Sequence, residues 1–366
     1  MVYEVLWTKH LSLIFGNTIF AVSIVTATFM AGLAIGSYLI GRFADRNINL
    51  LLLYGLLEVG IALTALLFVP TLNIVENLYV YWSHRLASLP WVATTINFLF
   101  SGMLLLPPAI FMGGTFPIMC RFFARNKSGG QIGRLYALNT IGATLGAFAA
   151  GYVLIPAYGL SRTSFLAIAG NLTVAGISFL LARKQGKTDA EGIEHKPQVR
   201  EMVATKHRPI LIAIGVIGFF SLAYEILWTR VFLLFLGNTS YAFALMLSAY
   251  LSGIAIGGFL YARLVHPQFN EKRLFIILTL LMGLTILATV PFYDQLAHVF
   301  QYAHEISGEQ WWLLSSLSFV IVFLLMSVPT ILSGALLPAA VAIIDPGKKH
   351  TGEGVGLVVL HNTFGA

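Results

Sequence analysis

The chain has 366 residues, 58% of them hydrophobic and only 10% charged, with a formal net charge of +7. A soluble chain of this length covers its surface with about a quarter charged residues, so this surface must largely face lipid. The single cysteine, Cys120, excludes an intrachain disulfide framework and a thiolate metal site, and the nine histidines form no close group of metal-ligand type. Runs long enough to cross a bilayer, about 20 residues, fall near 18–40, 50–69, 92–120, 135–156, 163–182, 209–236, 240–262, 273–291 and 312–344. A partial run opens the chain at 1–15 and another begins near 356. The expectation is an all-α polytopic membrane protein with about eleven spans. The N-terminus lacks the basic, apolar, small-residue order of a cleavable signal peptide.

Lysine and arginine set the orientation. With the N-terminus in the cytoplasm, the loops near 42–46, 121–134, 183–208, 263–273 and 348–349 hold eighteen of the 22 basic residues. The opposite loops hold Arg85 and Arg162, and Lys9 and Arg230 lie within spans. That asymmetry is the positive-inside rule at work. It places the chain in a plasma membrane, a bacterial inner membrane by expectation, with its N-terminus and the 183–208 segment cytoplasmic. Nucleic acid is not needed to explain the positive charge.

The sequence is duplicated. Residues 3–17, YEVLWTKHLSLIFGN, match 224–238, YEILWTRVFLLFLGN, at an offset of 221. The same offset relates Gly32 and Gly36 to Gly253 and Gly257, and Pro108, Gly113 and Pro117 to Pro329, Gly334 and Pro338. A two-residue shift then aligns Asn139–Ala143 with Asn362–Ala366. Six spans separate equivalent points, so both copies run the same way across the membrane. Two parallel six-helix repeats are the arrangement of major-facilitator-type transporters. The expected division is 1–182 for the first repeat, 183–208 for a polar linker and 209–366 for the second. By this register the sequence is expected to be cut at both ends of a twelve-span protein.

Eight candidate residues follow from charge or ring chemistry repeated at matched positions, and a ninth, Glu58, stands alone. Glu4 and Lys9 in the first copy match Glu225 and Arg230 in the second. Five residues is about 140° around a helix, so acid and base do not share a face. An intramembrane charge costs about 2.5 kcal/mol or more on insertion scales, so each is expected to meet a partner on another helix. Two readings stand: a polar cavity that binds substrate or carries protons, or structural interhelical ion pairs. Tyr3, Trp7, Tyr224 and Trp228 sit at i and i+4 beside the acids, where rings can hold an organic cation or simply pack. Glu58 is a lone acid in mid-span whose counterpart is Thr279. It is either a proton-coupling group or a carboxyl hydrogen-bonded to a neighbouring helix.

Three further features are read as structural. Gly32-x-x-x-Gly36, Gly253-x-x-x-Gly257 and Gly142-x-x-x-Gly146 are close-packing motifs. Pro107, Pro108 and Pro117, with Pro329 and Pro338, require long helices to kink, break or project. The GEGVG at 352–356 follows no strand, so the context of a dinucleotide fingerprint fails, and it reads as a repeated cytoplasmic loop. No cofactor, metal or catalytic-triad pattern is found.

The YE-[VI]-LWT-[KR] phrase, the following GN-T, GRLYALNTIGATLGAFAAGYVLIPAYGL and PPAIFMGGTFPIMCRF together resemble membrane-integral spermidine synthase-like proteins. In that family a major-facilitator-like membrane region is fused to a cytoplasmic aminopropyltransferase domain. The resemblance implies a polyamine or related organic cation as the ligand, and a fused or associated aminopropyltransferase as partner. That enzyme's catalytic residues are not in this chain, so these 366 residues should not perform its reaction. Gly41-Arg42-Phe43-Ala44-Asp45-Arg46 also resembles the loop signature of major facilitators, which implies a gating role for Asp45 and Arg46. Three functions remain: a transporter-like module of a polyamine enzyme, a non-transporting anchor for it, or a free-standing secondary transporter of another solute.

Overall fold

The computed structural model describes residues 1–15, 19–46, 48–86, 90–124, 131–184, 207–237, 239–265, 269–345 and 351–366. Every element among them is helical. The helices are α1 (Val2–Phe15), α2 (Ile19–Ala44), α3 (Leu50–Leu86), α4 (Pro90–Ala124), α5 (Gln131–Ala149), α6 (Ile155–Lys184), α7 (Arg208–Leu236), α8 (Ser240–Leu264), α9 (Glu271–Thr289), α10 (Leu296–Ser307), α11 (Trp311–Ile344) and α12 (Thr351–Gly365). Eight stretches are long and apolar enough to cross a membrane. Their outward residues are large and apolar, as Leu234 shows at 82% exposure. The polar linker lies in part outside the described residues, as do Gly16, Asn17, Thr18 and Asn238.

Local chemistry accounts for the helix ends. Asn49 accepts the Leu52 amide at 3.0 Å ahead of α3. Thr239 accepts the Ala242 amide at 3.1 Å ahead of α8, and Asn270 accepts the Arg273 amide at 3.2 Å ahead of α9. Each satisfies one amide that the first helical turn leaves without a partner.

One helical stretch differs from the sequence expectation, and one open alternative is narrowed. Spans 135–156 and 163–182 are joined by helix rather than by a loop: α5 passes through a π turn, Ala150–Leu154, directly into α6. Pro156 has no amide to give the Tyr152 carbonyl, and a wider turn accommodates that loss. The change of direction comes at Gly159, whose φ of 75° and ψ of 176° suit glycine alone. The proline-bearing runs, in turn, remain unbroken as α4 and α11. At 1.5 Å per residue their 35 and 34 residues span about 50 Å, well beyond a hydrocarbon core of about 30 Å.

The helices form two compact units, each built from both copies of the duplication. One takes Leu6–Lys127, Tyr158–Gly218 and Ile344–Ala366; the other takes Met1–Val5, Ser128–Ala157 and Phe219–Ile343. In the first, α2 packs on α4 through glycine: a Cβ on Gly36 would strike the Ile110 carbonyl, and one on Gly113 the Leu33 carbonyl. In the second, α8 packs on α11 in the same way, Gly257 against the Ile331 carbonyl and Gly334 against the Ile254 carbonyl. Every one of these four residue pairs keeps the offset of 221. Such contacts matter in lipid, where helices gain little from hydrophobic burial and associate by close van der Waals approach.

A third helix completes each seam, and it comes from the other copy. In the first unit α12 lies on α2, Gly352 meeting the backbone of Gly41 and Gly356 that of Ser37. In the second unit α5 lies on α8, Gly133 meeting Gly258, Tyr261 and Ala262. The segment 352–356 is therefore the start of a helix, not a loop, and its glycines serve backbone contact. Gly142 corrects another expectation: nothing lies within 4 Å of where its Cβ would be, although Gly146 does approach Val2 of α1.

Candidate functional site

Both duplicated acids lie in one unit, within electrostatic range of each other. Glu4 projects from the first turn of α1, and Glu225 from the middle of α7. Glu4 is only 7% exposed, and its Oε2 has no hydrogen-bond partner among the described residues. Glu225 is half-buried and close enough to Glu4 for the two charges to repel. Beside them a hydroxyl chain links three helices. Tyr250 of α8 and Ser221 of α7 share a hydrogen bond of 2.7 Å between their hydroxyls, and Ser221 lies 3.3 Å from the Ser333 hydroxyl of α11. Glu225 is in electrostatic reach of the Tyr250 hydroxyl, as is Tyr136 of α5. Ser221 and Glu225 are four residues apart and share one face of α7.

Among the described residues, two carboxylates and several hydroxyls lie in this part of the unit, and the Met1 ammonium is in electrostatic reach of Glu4. Two like charges in a low-dielectric site repel strongly. A proton or a bound cation relieves that repulsion, so the arrangement suits cation recognition.

Arg230 belongs to the unit of the acids and Lys9 to the other. Both are half-buried, and neither forms an ion pair with a described acid. The aromatic candidates are packed. Trp228 is fully buried, stacked on Phe232 at 4.9 Å and on Tyr293 at 4.8 Å. Trp7 stacks on Phe68 at 5.1 Å and meets Phe29 edge-on at 6.3 Å. Tyr3 and Tyr224 are also buried, and Tyr224 packs edge-on against Trp228 at 6.1 Å.

Glu58 has a separate setting in the other unit. It is 7% exposed, and Asn171 of α6 donates to its Oε2 at 2.6 Å. Tyr54, one turn earlier on α3, is a second hydrogen-bond partner.

Asp45 is the most heavily engaged candidate. It ends α2 and is buried against the Nε of Arg121, at the end of α4, at 3.0 Å. The Arg121 N–H is not aligned with that oxygen, so the contact is an ion pair rather than a hydrogen bond. The same carboxylate accepts the Gly352 amide at 3.1 Å and the Glu353 amide at 2.7 Å. It thus caps α12 at the positive end of its dipole. Arg46 takes no part, being exposed with its guanidinium 4.4 Å from the Phe43 ring centroid.

Comparison with known proteins adds the family. The profile of the Major Facilitator Superfamily matches residues 5–366. The chain belongs to that superfamily. No curated protein matches it. As a superfamily member it is an integral membrane protein and a secondary transporter, of a solute that the match does not specify.

Sequence reasoning missed several of this transporter's engaged residues. Arg121 was only one more base near a membrane edge. Ser221, Tyr250 and Ser333 are ordinary residues of apolar helices, although the position of Ser221, one turn before Glu225, was a usable signal. Asn171, the only amide in the 163–182 run, was another.

Proposed function

We propose that this transporter binds and moves an organic cation of polyamine type at the Glu4–Glu225 pair. The carrying observation is that two acids at matched positions of the duplication, Glu4 buried and Glu225 half-buried, lie within electrostatic range in one unit, where the counter-charge in reach of Glu4 is the Met1 ammonium. A polyamine presents ammonium groups on a flexible apolar chain, and facing carboxylates with neighbouring hydroxyls are the complementary acceptors. The polyamine assignment is supported by the sequence resemblance to spermidine synthase-like proteins, as is a fused or associated aminopropyltransferase. The eighteen basic residues in alternate loops support a bacterial inner-membrane location with the N-terminus and linker cytoplasmic.

The remaining candidates take supporting roles. Glu58 is a proton-coupling candidate, Asp45 with Arg46 the gating loop, and Lys9 and Arg230 are further candidates for substrate binding or proton coupling. Tyr3, Tyr224 and Trp228 belong to the unit of the acids, and Trp7 to the other. A second reading, secondary transport of another solute, is favoured by one observation: Trp228 is stacked on both Phe232 and Tyr293, so its ring is taken up by packing.

Uptake of labelled spermidine into proteoliposomes tests the proposal. Glu4→Gln and Glu225→Gln should each lower uptake at least tenfold while the purified variants remain helical and monodisperse. Wild-type uptake by Glu225→Gln would remove the acid pair as the binding site. No saturable uptake of spermidine by the unaltered chain would favour another solute.

A further inference from the structure

A second site lies elsewhere in the unit that holds the acid pair, and shares no residue with it. A cavity of about 880 Å³ opens among the end of α7, the start of α8, α10 and the start of α11, with Tyr152 at its edge. That volume is within the range of small-molecule sites, about 300–1,000 Å³. Three rings of its wall form a corner. Tyr241 meets Tyr152 edge-on at 5.8 Å and Trp311 edge-on at 5.3 Å, and Tyr152 lies 5.8 Å from Trp311. Phe235 and Phe300 also line the cavity, stacked on each other at 5.0 Å.

The polar part of the wall pairs one acid with one histidine, His304. Glu305 is its only acid, and no lysine or arginine lines it among the described residues. Gln301 donates to Glu305 Oε1 at 3.0 Å, one turn earlier on α10, which holds the carboxylate in place. An independent observation is Ser318. It lines the cavity and is 1% exposed, yet its hydroxyl has no hydrogen-bond partner among the described residues. A hydroxyl on a membrane helix ordinarily bonds back to a carbonyl one turn earlier, as Ser316 does to Trp312 at 2.8 Å in this same helix.

We propose that this cavity is a binding site for a lipophilic organic cation. Apolar substituents fill the ring-lined part, the positive centre sits over the aromatic corner and near Glu305, and Ser318 offers a hydroxyl to a polar group of the ligand. Attraction of a cation to ring faces strengthens as water is excluded, and Ala242, Leu245 and Ser318 of the wall are buried.

The test is equilibrium binding of labelled tetraphenylphosphonium to the whole chain in lipid nanodiscs, with empty nanodiscs as blank. The expected result is saturable binding, weakened about tenfold by Glu305→Gln and by Trp311→Ala, a change of about 1.4 kcal/mol. Glu309→Gln removes a nearby charge outside the cavity and should leave Kd unchanged. Neutral triphenylphosphine oxide should compete only weakly. Equal binding by Glu305→Gln and the unaltered chain, or displacement by the neutral compound at equal concentration, would overturn the proposal and leave a pocket for lipid tails. Absence of saturable binding would overturn it outright. Ligand and variants both differ from those of the spermidine assay, so the two readings fail separately.

Discussion

Replacing Asp45 should loosen α12 from α2 and α4. Its carboxylate meets Arg121 at 3.0 Å and takes two amides of α12 at 3.1 and 2.7 Å. Removing one partner of a buried ion pair costs about 3–5 kcal/mol, and a hydrogen bond to a charged group is worth about 1.5–3 kcal/mol. The three contacts share one carboxylate, so these figures do not add. Asp45→Ala should cost about 4 kcal/mol. Asp45→Asn should cost about 3 kcal/mol, because its single carbonyl oxygen can still accept one amide while its NH₂ group meets the arginine. The measurement is unfolding by sodium dodecyl sulfate titration in mixed micelles, run as a double-mutant cycle with Arg121→Ala. A coupling of about 2 kcal/mol between the two positions is expected, inside the usual range for contacting residues. Strict additivity of the two substitutions, or an Asp45→Ala protein as stable as the parent, would refute the reasoning.

Two further outcomes follow from the packing. Gly36→Leu and Gly257→Leu drive a side chain into the Ile110 and Ile331 carbonyls, so both should abolish recovery of monodisperse protein, whereas Gly142→Ala meets open space and should shift stability by less than about 0.5 kcal/mol. Normal yield of either leucine variant on size-exclusion chromatography would contradict the mirrored seams. Glu58→Gln keeps an acceptor for Asn171 and should unfold with the parent, while Glu58→Leu should lose about 0.5–2 kcal/mol, the range for interhelical polar contacts in lipid. Spermidine uptake by Glu58→Gln at the parent rate would exclude it from proton coupling.

The duplication was legible because glycine, proline and charge are conspicuous in apolar sequence. The offset of 221 that aligns Gly36 with Gly257 also aligns the carbonyls they touch, since both halves of a glycine contact must be kept together. The convergence of Glu4 and Glu225 was half legible: matched acids implied an interior, but nothing in their helices named the Tyr250 hydroxyl. Exchange of α5 and α12 between copies was not legible at all, because apolar helices carry no address beyond their small residues. Asp45 shows the limit best. Its resemblance to a loop signature pointed to Arg46, next in sequence, whereas the buried partner stands at the end of α4, where charge pairing is set by helix geometry alone.

The order of synthesis gives the exchanged helices a consequence in time. Gly133 and Gly258, which join α5 to α8, are made 125 residues apart, but Gly41 and Gly352, which join α2 to α12, are separated by 311. At about 5–20 residues per second, the first seam can close within about 6–25 s of its opening strand of synthesis and the second only after about 15–60 s. Through that interval the glycine edge of α2 stays open to the bilayer. Any insertion factor or lipid that shields small-residue helix edges has its longest opportunity there, and truncation before residue 352 leaves that edge uncovered for good.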